Sequence, residues 1–145
     1  MKLRIVAVAP DTVVQWRDVH NAVIPAHILT SDEVFERLTR NRLTLAYDGA
    51  ALVGNATIRP PGPDTMAATV IVRILPEYRR RGFGSEYLAA MLAEARSMGA
   101  RRIETVVLGS NEAGLAFALR HGFAEFDRYV LEGEAAEYVD LYLVA

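Results

Sequence analysis

The chain has 145 residues, 52% of them apolar and none of them cysteine. That length fits one domain spanning 1–145 that buries ~68–70% of its unfolded surface, so neither disorder nor reliance on a disulfide or a sulfur-ligated metal is expected. Sixteen basic against eighteen acidic residues leave a formal charge of −2, too little to attract nucleic acid or anionic lipid, and no apolar run nears the ~18 residues of a membrane span.

In chain order, β-branched residues over 3–8, stopped by Pro10, read as a first strand. The run is also too short for the apolar segment of a secretion signal, so a cytoplasmic location is expected, with the lack of cysteine in keeping. Asp11 is placed to cap a helix in which Val13, Trp16, Val19 or His20, and Val23 recur at helical spacing, and Pro25 ends it. After a loop over 25–29, Thr30 and Glu33 stand at capping-box spacing ahead of a short helix over 31–39. Strands over 43–47 and 52–58 flank Asp48-Gly49, a pair suited to a tight hairpin turn. Pro60, Pro61, Gly62 and Pro63 break the chain, and 66–75 resumes as a nearly continuous apolar run, the pattern of a central strand.

From Gly84 the period changes: Tyr87, Leu88, Met91, Leu92, Ala95 and Met98 mark an amphipathic helix that Gly99 ends. A strand over 103–108 follows, then a helix from Asn111 to the left-handed position offered by Gly122. Alternating residues over 123–131 and 138–144 suit a terminal antiparallel pair. The order βααβββαβαββ belongs to an α/β (α+β) fold.

The run Arg79-Arg80-Arg81-Gly82-Phe83-Gly84 sits between a buried strand and a helix start. Unpaired amides and the helix dipole favour an anion there, the glycines admit close approach, and the arginines supply charge-assisted bonds to phosphate oxygens. Neither G-x-x-x-x-G-K-S/T nor the full G-x-G-x-x-G fingerprint is present, since Tyr87 stands where the third glycine of the latter belongs. Three arginines without interleaved aromatics give too few contacts for nucleic acid. His20, His27 and His121 lack metal-ligand spacing and read as surface or helix-end residues, while Trp16 reads as core.

Arg79, Gly82 and Gly84 match the R/Q-x-x-G-x-G/A cofactor loop of the GNAT family of N-acetyltransferases. Residues 74–78 before the loop, and the stretch from Asn111 to Gly122-Phe123, resemble the segments that flank it in that family. Together with the element order, the resemblance spans essentially the whole chain. It implies a mixed, mostly antiparallel central sheet flanked by helices, with acetyl-CoA as co-substrate in a wedge where the fourth and fifth strands splay, and no metal. The amides from Arg80 to Ser85, including those of Arg81 and Phe83, would meet the pyrophosphate. Ile74 and Leu75 would lie along pantetheine, a backbone N–H near Leu75 would meet the thioester carbonyl, and Asn111 would touch the cofactor as well as cap its helix. The implied reaction is direct attack by a primary amine in a ternary complex.

Many members carry a tyrosine five residues before the Phe of Gly-Phe to protonate the leaving thiolate, and Ala118 stands there. A water or the Ser110 hydroxyl is left for that task, and Glu104 is a candidate water-relayed base or, equally, a solvated strand residue. Glu132, Glu134, Glu137 and Asp140 cluster around the last two strands, where they either attract a cationic small-molecule or peptide amine or simply blunt an exposed sheet edge. Three readings follow: an N-acetyltransferase; a non-catalytic acyl-CoA-binding or sensing module, motivated by Ala118; and a structural domain whose terminal strands form a homodimer, against which the arginine-glycine loop argues.

Overall fold

The computed structural model describes residues 2–144. Its elements follow the expected order: β1 (Leu3–Ala7), α1 (Val13–Val23), α2 (Ser31–Leu38), β2 (Arg42–Asp48), β3 (Ala51–Arg59), β4 (Ala67–Ile74), α3 (Phe83–Ser97), β5 (Arg102–Leu108), α4 (Glu112–Arg120), β6 (Phe123–Val130) and β7 (Glu137–Leu143). The strands form one mixed, mostly antiparallel sheet in the order β1-β2-β3-β4-β5-β7-β6. Local chemistry sets most boundaries. Thr30 and Glu33 close the reciprocal capping box that starts α2, and Gly49 takes φ +60° in the β2–β3 turn. Asp11 departs from expectation: it lies in a 3₁₀ turn over Pro10–Thr12, so Thr12 precedes α1 and no side chain caps it.

Cross-strand partners share a face, so the register divides the core in two. Ala46, Gly54 and Ile74 align on the face covered by α3, where Tyr87, Leu88 and Met91 pack against Val70 and Ile74. Leu45, Asn55 and Arg73 align on the face covered by α1 and α2, over which Trp16, Val13, Val34 and Leu29 pack. Trp16 is fully buried and donates from Nε1 to the Ala56 carbonyl at 3.2 Å, while Asn55 Nδ2 donates back to the Trp16 carbonyl at 2.9 Å. These bonds fix α1 across the sheet.

The feature that positions the site is where the sheet stops being a sheet. β4 and β5 pair in parallel only at Ala67–Arg102, Ala68–Ile103 and Thr69–Glu104. Beyond Thr69, β4 stays registered with β3 as far as Ile74, while β5 stays with β7 as far as Leu108. Two halves of the sheet therefore diverge from a short shared hinge, and one edge of β4 is left without a partner strand.

Gly54 is fitted to this region. A Cβ on it would overlap the Arg73 carbonyl oxygen and lie 2.9 Å from Ile74 Cδ1. Gly54→Val is expected to destabilise the fold by about 1–3 kcal/mol through overpacking. Urea unfolding would show it as a lower midpoint at unchanged slope. Among the described residues no helix is long and apolar enough to cross a membrane.

Candidate functional site

A cavity of about 1010 Å³ occupies the opening between β4 and β5 and reaches both faces of the sheet. On the α3 side its wall is the arginine-glycine loop. Arg80 takes φ +65° and Gly82 φ +82°, and residues of positive φ interspersed in a loop turn neighbouring amides toward one concavity. Gly82 precedes α3, no side chain caps that helix, and the first helical bond runs from the Glu86 N–H to the Gly82 carbonyl. The amides of Phe83, Gly84 and Ser85 are thus left to whatever sits in the cavity, at the positive end of a 15-residue helix.

Arg79, Arg80, Gly82, Phe83, Gly84, Ser85, Ile74 and Asn111 all line this cavity. Arg79 Nε donates to the Ile74 carbonyl at 3.0 Å, and Asn111 caps α4 by accepting from the Gly114 N–H at 3.0 Å. Ser85 Oγ lies 2.7 Å from His121 Nε2; because His121 Nδ1 donates to the Phe117 carbonyl at 2.8 Å, Nε2 accepts the Ser85 proton. Arg120, unmarked by any motif, also lines the cavity, its guanidinium 5.9 Å from the Phe117 ring.

Four expected positions fall elsewhere. Arg81 is exposed and turned over the Tyr78 ring at 5.6 Å. The Leu75 N–H donates to the Val53 carbonyl at 2.8 Å, so it is not a free donor. Strand alternation then directs the amides of Val72 and Ile74 to the opposite edge, the one facing the opening. Glu104 sits at the shared hinge, ion-paired to Arg102 at 2.8 Å, and Ser110 is exposed; neither lines the cavity. A strand carboxylate beside an arginine finds a partner locally, which sequence spacing did not reveal.

The other end of the cavity lies on the α1 and α2 face, and its lining was largely missed. His20, His27, Arg37, Arg59, Arg73, Tyr129 and Tyr138 contribute to it. His20 is 4% exposed and stacks on Trp16, 5.7 Å between ring centroids; burial, then the charge of Arg73, lowers its pKa to about 4, so it is neutral. Of the two expectations for this histidine, surface or helix end, the second holds: His20 lies in the last turn of α1, on its inward stripe, and is not on the surface.

His27 Nδ1 lies 3.1 Å from the Tyr138 hydroxyl, which itself donates to Glu134 Oε1 at 2.7 Å. Tyr138 must then accept from His27, which protonates Nδ1 and leaves Nε2 as the acceptor. Tyr129 donates to Asp140 Oδ1 at 2.9 Å. Burial, followed by these carboxylate bonds, raises both tyrosine pKa values to about 12. Glu137 pairs with Arg128 at 3.0 Å. Of the acidic cluster around the last strands, then, three members are engaged by neighbouring side chains and none lines the cavity. Among the described residues no group of three or more ligating side chains is gathered for a metal ion.

Comparison with known proteins agrees with this geometry. The model of the acetyltransferase (GNAT) family matches residues 12–123, and the chain belongs to that family. No curated protein matches the sequence. Among solved structures, a protein assigned as a phosphinothricin N-acetyltransferase superposes with a TM-score of 0.82 at 20% identity, covering 97% of each chain. The ribosomal-protein-alanine N-acetyltransferase of Brucella melitensis gives 0.77 at 17% identity, covering 98% of this chain and 99% of that one. A Salmonella typhimurium protein assigned as an acetyltransferase, solved with its cofactor acetyl-CoA, gives 0.75 at 15% identity, covering 99% and 94%. At these identities the likeness is one of fold.

Proposed function

We propose that the protein transfers an acetyl group from acetyl-CoA to a primary amine by direct attack within a ternary complex. The observation that carries this reading is the opening of β4 away from β5 onto the uncapped N-terminus of α3. The residues present fit the co-substrate: free amides at Phe83, Gly84 and Ser85, with Arg79, Arg80 and Arg120 nearby, suit a pyrophosphate and a phosphate. The unpaired edge of β4 at Val72 and Ile74 suits an extended amide-bearing arm in the manner of an added strand. Acetyl-CoA supplies an acetyl group on a thiol, a leaving group that departs far more readily than an amine.

The chain's own residues do the rest. An amide of Val72 or Ile74, in place of that of Leu75, can bond a carbonyl oxygen as charge develops on it. His27 Nε2, set in its accepting tautomer by Tyr138 and Glu134, takes the proton of the attacking amine, in place of Glu104. The nitrogen lone pair forms the new C–N bond, the C–S bond breaks, and the thiolate takes its proton from water. Ala118, buried on the cavity wall, has no proton to give, and the Tyr129 and Tyr138 hydroxyls are weakened as acids by burial and then by the carboxylates they bond.

Calorimetric titration with acetyl-CoA tests the reading. Gly82→Val is the control: a Cβ there meets nothing within 4 Å, but φ +82° opposes a β-branched residue. At least a tenfold loss of affinity with the fold retained is expected, and equal affinity would remove the proposed seat. Binding without thiol release to any amine would favour the sensing module.

A further inference from the structure

The acceptor end of the cavity has one sign of charge. Across the whole cavity six arginines and two histidines line the wall and, among the described residues, no aspartate or glutamate does. Three of those arginines, Arg37, Arg59 and Arg73, come from α2, β3 and β4. Arg59 and Arg73 fall on the α1 and α2 face by strand register, away from the loop that faces phosphate. None of the three has an ion-pair partner among the described residues.

Arg73 is the decisive member. It is 8% exposed, and the only side-chain hydrogen bonds it makes among the described residues run from Nη1 to two neutral oxygens, Asn55 Oδ1 at 3.3 Å and Thr57 Oγ1 at 3.4 Å. Its guanidinium carbon stands 5.4 Å from the Trp16 ring. Nε and Nη2 bond nothing among the described residues, yet no sealed polar side-chain atom of those residues lacks a partner, so these two nitrogens are open, on a residue that lines the cavity. A buried guanidinium without an anion is costly unless a ligand supplies one. Burial, then Arg37 and Arg59, holds its pKa down to about 9, which still leaves it charged at neutral pH. Glu33 and Glu36 act on Arg37 from its own helix without forming an ion pair with it, and Glu134 and Asp140 are engaged by Tyr138 and Tyr129; none of the four reaches the lining.

We propose that the acceptor is an amine that also carries an oxyanion, a carboxylate or a phosphonate, held by Arg73 with Arg59 and Arg37, its amino group directed to His27. A planar guanidinium fork with two free donors matches such an oxyanion. The same cluster disfavours polyamines, whose charge it repels, and so favours the edge-blunting reading of the acidic residues around the last strands over a cationic acceptor. This inference rests on the acetyltransferase reading, so the experiment separates the two.

Acetyl-CoA affinity of the full chain, by calorimetry, tests the reading alone. Thiol release from acetyl-CoA is then measured with the twenty L-amino acids and short aminoalkyl phosphonates, each against its uncharged amide or ester, and with spermidine. At least one anionic amine is expected to exceed its neutral counterpart tenfold or more in kcat/KM, with the carboxylate and phosphonate arms identifying the oxyanion. Arg59→Gln is expected to raise its KM at least fivefold while acetyl-CoA affinity holds. In parallel, inorganic phosphate is titrated into the acetyl-CoA-saturated protein, with binding expected in the parent and lost in Arg59→Gln and Arg73→Met. Faster turnover of neutral amines or spermidine overturns the proposal, as does the absence of both anionic turnover and phosphate binding in a protein that binds acetyl-CoA.

Discussion

Arg73→Met is expected to raise the stability of the protein while suppressing acetyl transfer to its acceptor. Methionine keeps much of the length and volume of the arginine stem against Trp16, and it removes a desolvated charge that no carboxylate offsets. Replacing a buried ion pair by apolar side chains of similar volume is neutral or stabilising by up to about 1–4 kcal/mol, and Arg73 lacks even the partner that offsets desolvation in such a pair. The partners left behind lose little, because bonds of 3.3 and 3.4 Å to neutral oxygens are at the weak end of the range and Asn55 keeps its bond to the Trp16 carbonyl. At this chain length each kcal/mol moves Tm by about 2–4 °C, so a scanning calorimeter would resolve the gain. Loss of a buried partner of a charged ligand costs about 2–5 kcal/mol, which corresponds to at least ~30-fold in kcat/KM for an anionic amine. A variant that is less stable and still active would reassign Arg73 to packing.

Arg73 also shows where sequence reading reaches and where it stops. A charged residue in the run Thr69-Val70-Ile71-Val72-Arg73-Ile74 was the available signal, and the pattern of a central strand absorbed it. Elements set by neighbours a few residues apart were legible: the Thr30–Glu33 capping box, the Asp48-Gly49 turn, the Asn111 cap and the glycine end of α4. The cofactor half of the site was legible for the same reason, since loop and helix start are contiguous. The acceptor half was not. It is assembled from α1 and the loop after it, from α2, and from β3, β4, β6 and β7, and its sign depends on which way each side chain faces. Glu134 and Asp140 stand close to this region in sequence, but their oxygens accept from Tyr138 and Tyr129 instead of reaching the cavity. Glu104 likewise finds Arg102 two residues away on its own strand.

Acidification should expose a second consequence of burying polar side chains beside Arg73. His20 is neutral in the folded protein with a pKa of about 4, against 6.5 when free, because it is buried against Trp16 beside Arg73. The unfolded chain therefore takes up a proton first as pH falls. The stability contributed by the neutral ring is fully present above pH 6.5 and is lost progressively between 6.5 and 4, by about 3 kcal/mol in total. Three carboxylates held below their usual range by hydrogen bonds, Glu33, Glu36 and Glu125, act in the same direction but only at the acid end, near and below their ordinary pKa. Asp140, raised first by burial, acts in the opposite direction there. The upper part of the window, from 6.5 to about 5, thus isolates histidine. His20→Phe keeps a ring against Trp16 without a titrating group, so urea midpoints measured across that interval should fall in the parent and stay nearly level in the variant. If both fall together, the proton is taken up elsewhere and His20 does not sense its cationic neighbours.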